Sequence, residues 1–116
     1  MARRSEKLSR EIKRSVAPII EGMSFSSSAL VTVIQVEVSP DFDYVKIYIG
    51  VLPEEQREEV ISQIQEQKGA IKRKLAQRLR IRRMPEIDFR TDQGLQKAER
   101  VERLLKKIDN DFREED

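Results

Sequence analysis

The apolar positions of this chain change period several times, and each change marks an element. Leu8, Ile12, Val16, Ile19 and Ile20 recur at three- and four-residue steps, which lays one apolar stripe along a helix over 5–21. Ser5 is placed to cap that helix, and Pro18 is expected to bend or shorten its last turn. Gly22 ends it, ahead of a Ser-rich connection over 24–28. A β-branched run follows from Leu30 to Val38, its second half alternating apolar and polar, and Tyr44 to Ile49 alternates again. With the turn residues Ser39 to Asp43 between them, these two runs predict an antiparallel hairpin.

Pro53, Glu54 and Glu55 open a second helix that reaches about Gln67, with Val60, Ile61 and Ile64 inward. Proline suits a first helical turn, and carboxylates suit the positive end of the helix dipole. Gly69 breaks the pattern, and helical spacing resumes with Ile71, Leu75 and Leu79. Two helices joined by a kink over Gln67, Lys68 and Gly69 are predicted, the glycine being there to fit the bend. Pro85 stops the third helix, Glu86 to Arg90 alternates as a strand, and Asp92, Gln93 and Gly94 make a turn. Leu95, Ala98, Val101, Leu104, Leu105, Ile108 and Phe112 outline a last amphipathic helix. This order predicts an α+β domain of two layers, with helices over one sheet face. A single domain is expected over 1–112, and a frayed acidic tail over 113–116.

Composition narrows the function. At 116 residues the chain is long enough for one real core, which Ile, Leu and Val must build because there are only two Tyr and four Phe. Charged residues make up 38%, above the usual quarter, so a large charged surface must face water. Cysteine is absent, which excludes disulfides and thiol chemistry and fits a reducing compartment. With no long apolar run and no signal-peptide core at the N-terminus, no membrane contact is expected and a cytoplasmic location is.

The formal net charge of +2 hides a strong asymmetry. Residues 68–83 carry eight bases and no acid, and residues 3–14 carry six bases against two acids, so the remainder is acidic. A helix buried along Ile71, Leu75 and Leu79 turns much of that positive charge to solvent. Fixed positive charge suits a phosphate backbone, because each contact releases condensed counterions. The candidate RNA contacts are Lys68, Lys72, Arg73, Arg80, Arg82 and Arg83, joined by Arg3 and Arg4. The arginines lead because guanidinium can grip phosphate bidentately. Lys74 and Arg78 flank the apolar stripe, where their stems can cover the core edge. Tyr44 and Tyr48 share one strand face, to stack on bases or to pack.

Catalysis finds little support. Without histidine or cysteine the chain lacks the commonest general base, thiol nucleophile and zinc ligands. Glu54, Glu55, Glu58 and Glu59 read as helix-start carboxylates, and no phosphate-loop or dinucleotide glycine pattern occurs. No enzyme activity, cofactor or metal is expected.

The element order, with a hinge between two central helices, resembles a type II KH domain. Its residues resemble the bacterial ribosome-binding factor A family. The likeness rests on the hairpin from Val36 to Ile49, on Gly69 to Lys72 through Leu79 to Arg82 closed by Pro85 to Phe89, and on Asp92, Gly94, Arg100, Val101, Leu104 and Leu105. Lys72, Arg80 and Arg82 are the basic positions that match the family's central block. The family's kink usually carries alanine, any residue, glycine, where this chain has Gln67, Lys68 and Gly69. The Gly-x-x-Gly clamp of an ordinary KH domain is absent. The resemblance implies a KH-like fold and an assembly factor that binds the immature 30S subunit and promotes late 16S rRNA maturation. It also implies cold adaptation and release by an assembly GTPase. A monomer is expected. The alternative is a protein-interaction module whose final helix makes the contact and whose basic face only aids solubility.

Overall fold

The computed structural model describes residues 2–26, 28–92 and 103–108. Its elements are α1 (Ala2–Glu21), β1 (Leu30–Val38), β2 (Tyr44–Leu52), a 3-10 turn (Glu54–Gln56), α2 (Arg57–Glu66), α3 (Lys68–Leu79) and β3 (Glu86–Thr91). The sheet order is β1-β2-β3, with β1 antiparallel and β3 parallel to the central β2. The order of elements agrees with the periodicity, and the hairpin forms where alternation placed it. The expected turn at 92–94, the final helix and the tail lie outside the described residues, apart from Asp92 and a helical stretch at 103–108.

All the helices that pack do so on one sheet face. Ile12, Val16 and Ile20 of α1, Val60 and Ile64 of α2, and Ile71 and Leu75 of α3 close on Val45, Ile47, Ile49 and Val51 of β2. Each fully buried Ile or Leu contributes about 1.5–3 kcal/mol, so this seam sets where every helix lies. Ser5 is not a cap: α1 starts at Ala2, and Ser5 sits buried within it. Its carbonyl accepts from the Ser9 hydroxyl at 2.7 Å, and Ser9 Oγ accepts from the Val38 N–H at 3.1 Å, fastening α1 to the end of β1. Pro18 lies inside α1 without ending it, since the Gly22 N–H still reaches the Pro18 carbonyl at 3.1 Å.

Strand β1 changes phase in its middle. Val31 and Val33 face the core, then Val36 and Val38 do, and the register slips between Val33 and Gln35. Ile34 is the extra residue of this bulge, which returns the apolar set to the inner face. The bulge also explains Gly50. A Cβ there would stand 2.9 Å from Ile34 Cδ1, so a larger residue would require the Ile34 side chain to shift.

The helix break falls at Gln67 (φ −95°, ψ 8°), between α2 and α3, and not at the glycine. Gly69 is exposed, its φ is not positive, and an added Cβ would meet nothing within 4 Å. The bend therefore does not depend on glycine's conformational freedom, contrary to the sequence expectation. Gly69→Ala is expected to fold normally and to gain about 0.5 kcal/mol in urea unfolding, by restricting the unfolded chain. A loss above about 1 kcal/mol would show that Gly69 is needed for the bend.

Candidate nucleic-acid interface

The kink is also a charge boundary. The 3-10 turn and α2 carry five acids against one base, whereas α3 and the loop after it, 68–83, carry bases only. Burial of Ile71 and Leu75, with Leu79 packed beside them, locks α3, so the positions on its opposite side look outward. Arg73 and Lys74 are exposed on the helix, and Arg82 and Arg83 are exposed in the loop before β3. Among the described residues no carboxylate pairs with Arg73, Arg80, Arg82 or Arg83.

Arg80 ends α3 in the left-handed region (φ 55°, ψ 38°), its N–H on the Ala76 carbonyl at 2.9 Å. Glycine is the usual residue there, because a side chain in that region costs about 1–2 kcal/mol. An exposed arginine thus occupies a position where the fold itself would prefer glycine. Arg78 serves the fold instead, donating to the Ser15 carbonyl of α1 at 3.2 Å.

Lys68 and Lys72 are not free. Both reach Glu86 at the start of β3, at 3.2 and 3.8 Å. The Lys68 hydrogen bond, then the charge of Lys72, holds the Glu86 carboxyl below its ordinary value. Glu86 is a site residue that charge counting missed, since a single acid after eight bases reads as trivial until β3 carries it back to α3. The contact of Arg78 with Ser15 sets the end of α3 beside the middle of α1, and α1 ends near the kink, beside Gln67. The two helices therefore run antiparallel. Exposed Arg4, eleven residues before Ser15, lies roughly 16 Å further along the axis, as a separate basic point. The Arg3 side chain lies outside the described set.

The two tyrosines divide. Tyr48 is 3% exposed, with Gln35 and Arg90 as its neighbours across the strands. Burial first, then the nearby Glu37 charge, pushes its phenol above the ordinary value. Tyr44 is 60% exposed. It leaves a turn held by its own side chains: Ser39 Oγ donates to Asp41 at 2.6 Å, and the Asp43 and Tyr44 N–H groups donate to Asp41 (3.1 Å) and Ser39 Oγ (3.0 Å). These bonds, led by that of Ser39, keep the Asp41 carboxyl below its usual value, and they hold Phe42 in a left-handed conformation (φ 63°).

The acidic cluster has ordinary partners. Glu54 pairs with Arg57 at 3.8 Å, Arg57 meets Asp92 at 3.1 Å, and Glu59 accepts from the Ser26 hydroxyl at 2.6 Å. The described residues hold no group of three or more acidic side chains placed for a metal ion, and no described helix is long and apolar enough to cross a membrane.

Known proteins share this fold. The chain is 34% identical to the ribosome-binding factor A of Prochlorococcus marinus over 99% of its own length and 97% of the relative's. The crystal structure of ribosome-binding factor A from Thermus thermophilus superposes with a TM-score of 0.67 at 26% identity, covering 75% of this chain and 93% of that one. A homology model of the Thermus protein, fitted into a cryo-EM map of its complex with 30S, matches with a TM-score of 0.59 at 26% identity, over 69% and 86% of the two chains. The sequence profile of ribosome-binding factor A matches residues 4–105, nearly the whole length, and the chain therefore belongs to that family.

Proposed function

We propose that this protein binds the immature small ribosomal subunit through the cationic surface of α3 and the loop after it, and assists late maturation of the 16S rRNA. The observation that carries this reading is the set of exposed arginines without carboxylate partners among the described residues, Arg73 on α3, Arg80 at its end and Arg82 and Arg83 in the loop after it, with the helix fixed by buried Ile71 and Leu75. A rigid cationic surface docks on a folded polyanion without first spending its own ions, and without the glycine clamp that grips single strands. The fit of a Thermus relative into a 30S complex supports the same partner. Lys68 and Lys72 belong to this surface with their charge shared by Glu86, and Arg4 extends it along α1. A second reading, contact with a protein partner through residues 103–108, draws on the exposure of Leu104, Leu105 and Ile108 there.

Co-sedimentation with immature small subunits across a salt series decides between them. Binding through phosphates is expected to fall with salt at a log–log slope of roughly 0.7–0.9 per contact, whereas salt-indifferent binding would favour the protein partner. Reversal of Arg80 and Arg82 to Glu is expected to weaken binding and flatten that slope while the unfolding midpoint holds; an unfolded variant would place these side chains in the core instead. Arg80→Gly is expected to weaken binding yet raise stability by up to about 1 kcal/mol, because glycine relieves the left-handed end of α3. Glu86→Gln releases Lys68 and Lys72 and is expected to tighten binding and steepen the salt slope; unchanged affinity would remove both lysines from the interface.

A further inference from the structure

A groove of about 670 Å³ runs between the Ser39–Tyr44 turn and the loop entering β3, at the margin of the arginine surface. Its charge does not match its surroundings. Asp41, Asp43 and Glu86 line it against only Lys72 and Arg83, so its lining is net negative. A phosphate backbone tracking the arginines is repelled from this floor. Two of the three carboxylates are committed: Asp41 to the Ser39 hydroxyl and the Asp43 N–H, and Glu86 to two lysines. The Asp43 side chain meets the Asp41 carboxyl within the turn, but no cation pairs with it among the described residues. The exposed Tyr44 ring borders the same groove, presented by a turn whose own hydrogen bonds hold it in place. Arg83, unpaired, stands at its edge.

A flat aromatic wall, a carboxylate with no cation on it and a flanking guanidinium describe the complement of an unpaired nucleobase attached to a phosphate. Of the four RNA bases, guanine alone offers two adjacent N–H donors on its Watson–Crick edge, spaced for the two oxygens of one carboxylate. Adenine and cytosine place a ring acceptor beside their amino group, and uracil has one donor between two acceptors.

Resting on the rRNA-binding reading above, we propose that this groove takes an unpaired guanine of the bound RNA, its ring on Tyr44, its Watson–Crick edge on Asp43 and its phosphate on Arg83. Stacking on an aromatic side chain is sequence-tolerant by itself, so Tyr44 supplies affinity for an unstacked base and Asp43 supplies the choice of base.

Three RNA hairpins test this: one with a single unpaired guanosine, one with an unpaired uridine in its place, and one fully paired. The native protein is expected to bind the guanosine hairpin on the order of tenfold more tightly than the paired one. Tyr44→Ala is expected to bring that ratio near one, and Tyr44→Phe to keep it. Asp43→Asn is expected to erase the preference for guanosine over uridine while both unpaired hairpins still exceed the paired one. Tyr48→Phe leaves Tyr44 as the sole tyrosine, and its emission is expected to be quenched most by the guanosine hairpin, less by the uridine hairpin and not by the paired one, which reads the stack without removing it. Equal binding of all three hairpins, or a preference unmoved by Tyr44→Ala, overturns the groove proposal; if Arg80 and Arg82 reversal still weakens every hairpin, the cationic reading stands without it. Failure to bind any of the three at low salt overturns both.

Discussion

The contact on which everything else depends is the burial of Ile71 and Leu75 beneath α3. Those two side chains fix the rotation of the helix against α1 and the sheet, and rotation is what turns Arg73 and Lys74 to solvent. A basic helix free to roll would present a blurred field. One pinned by an aliphatic seam presents charges at set positions, and a folded RNA can match set positions with its phosphates. The function proposed for the surface is thus inseparable from the packing of the core, although no charged residue contributes to that core.

Charge is sorted along the backbone with the kink as divider. The acids of the 3-10 turn and α2 have local partners, Arg57 for Glu54 and the Ser26 hydroxyl for Glu59, whereas α3 has no acid of its own. The exception is Glu86, delivered by β3 to the first turns of α3, where it holds Lys68 and Lys72. One carboxylate thereby lowers the effective charge of two lysines and leaves the arginines further along α3 as the unshielded part of the surface. The bases without a carboxylate partner among the described residues run from Arg73 through Arg83, further toward the helix end than a count of bases would place them.

Arg80 shows a local preference overridden. Left-handed backbone at a helix end favours glycine, and this chain holds an exposed arginine there. Phe42 repeats the pattern at the tip of the hairpin, where Ser39 and Asp41 supply the hydrogen bonds that hold it. Both residues border the loop and turn that enclose the groove beside Tyr44. Unfavourable backbone conformations collecting at one place, away from the core, are what a surface shaped for a ligand would leave behind.

Much of the fold was legible in the chain because burial imposes a period. The stripe of α1, the alternation of β2 and β3, and the Ile71, Leu75, Leu79 series each named an element and its inward face. The KH-like order followed, and so did the excess of bases over 68–83. Where the period itself slipped, in Leu30 to Val38, the bulge at Ile34 was written as two alternating sets out of phase, and it became readable once the strand register was seen. The eight bases were equal in sequence, and only tertiary structure ranked them. It brought Glu86 from fourteen positions beyond Lys72 to its ammonium group, put Arg78 on the carbonyl of Ser15, and left Arg80, Arg82 and Arg83 without a carboxylate partner among the described residues. It also separated Tyr44 from Tyr48, which one strand face had made alike, and placed the break at Gln67, the first residue of the predicted kink, with no demand on Gly69. The division has a physical cause: hydrophobic burial repeats with the geometry of the element and so appears in local spacing, whereas an ion pair depends on which distant segment the folded chain returns to the same place.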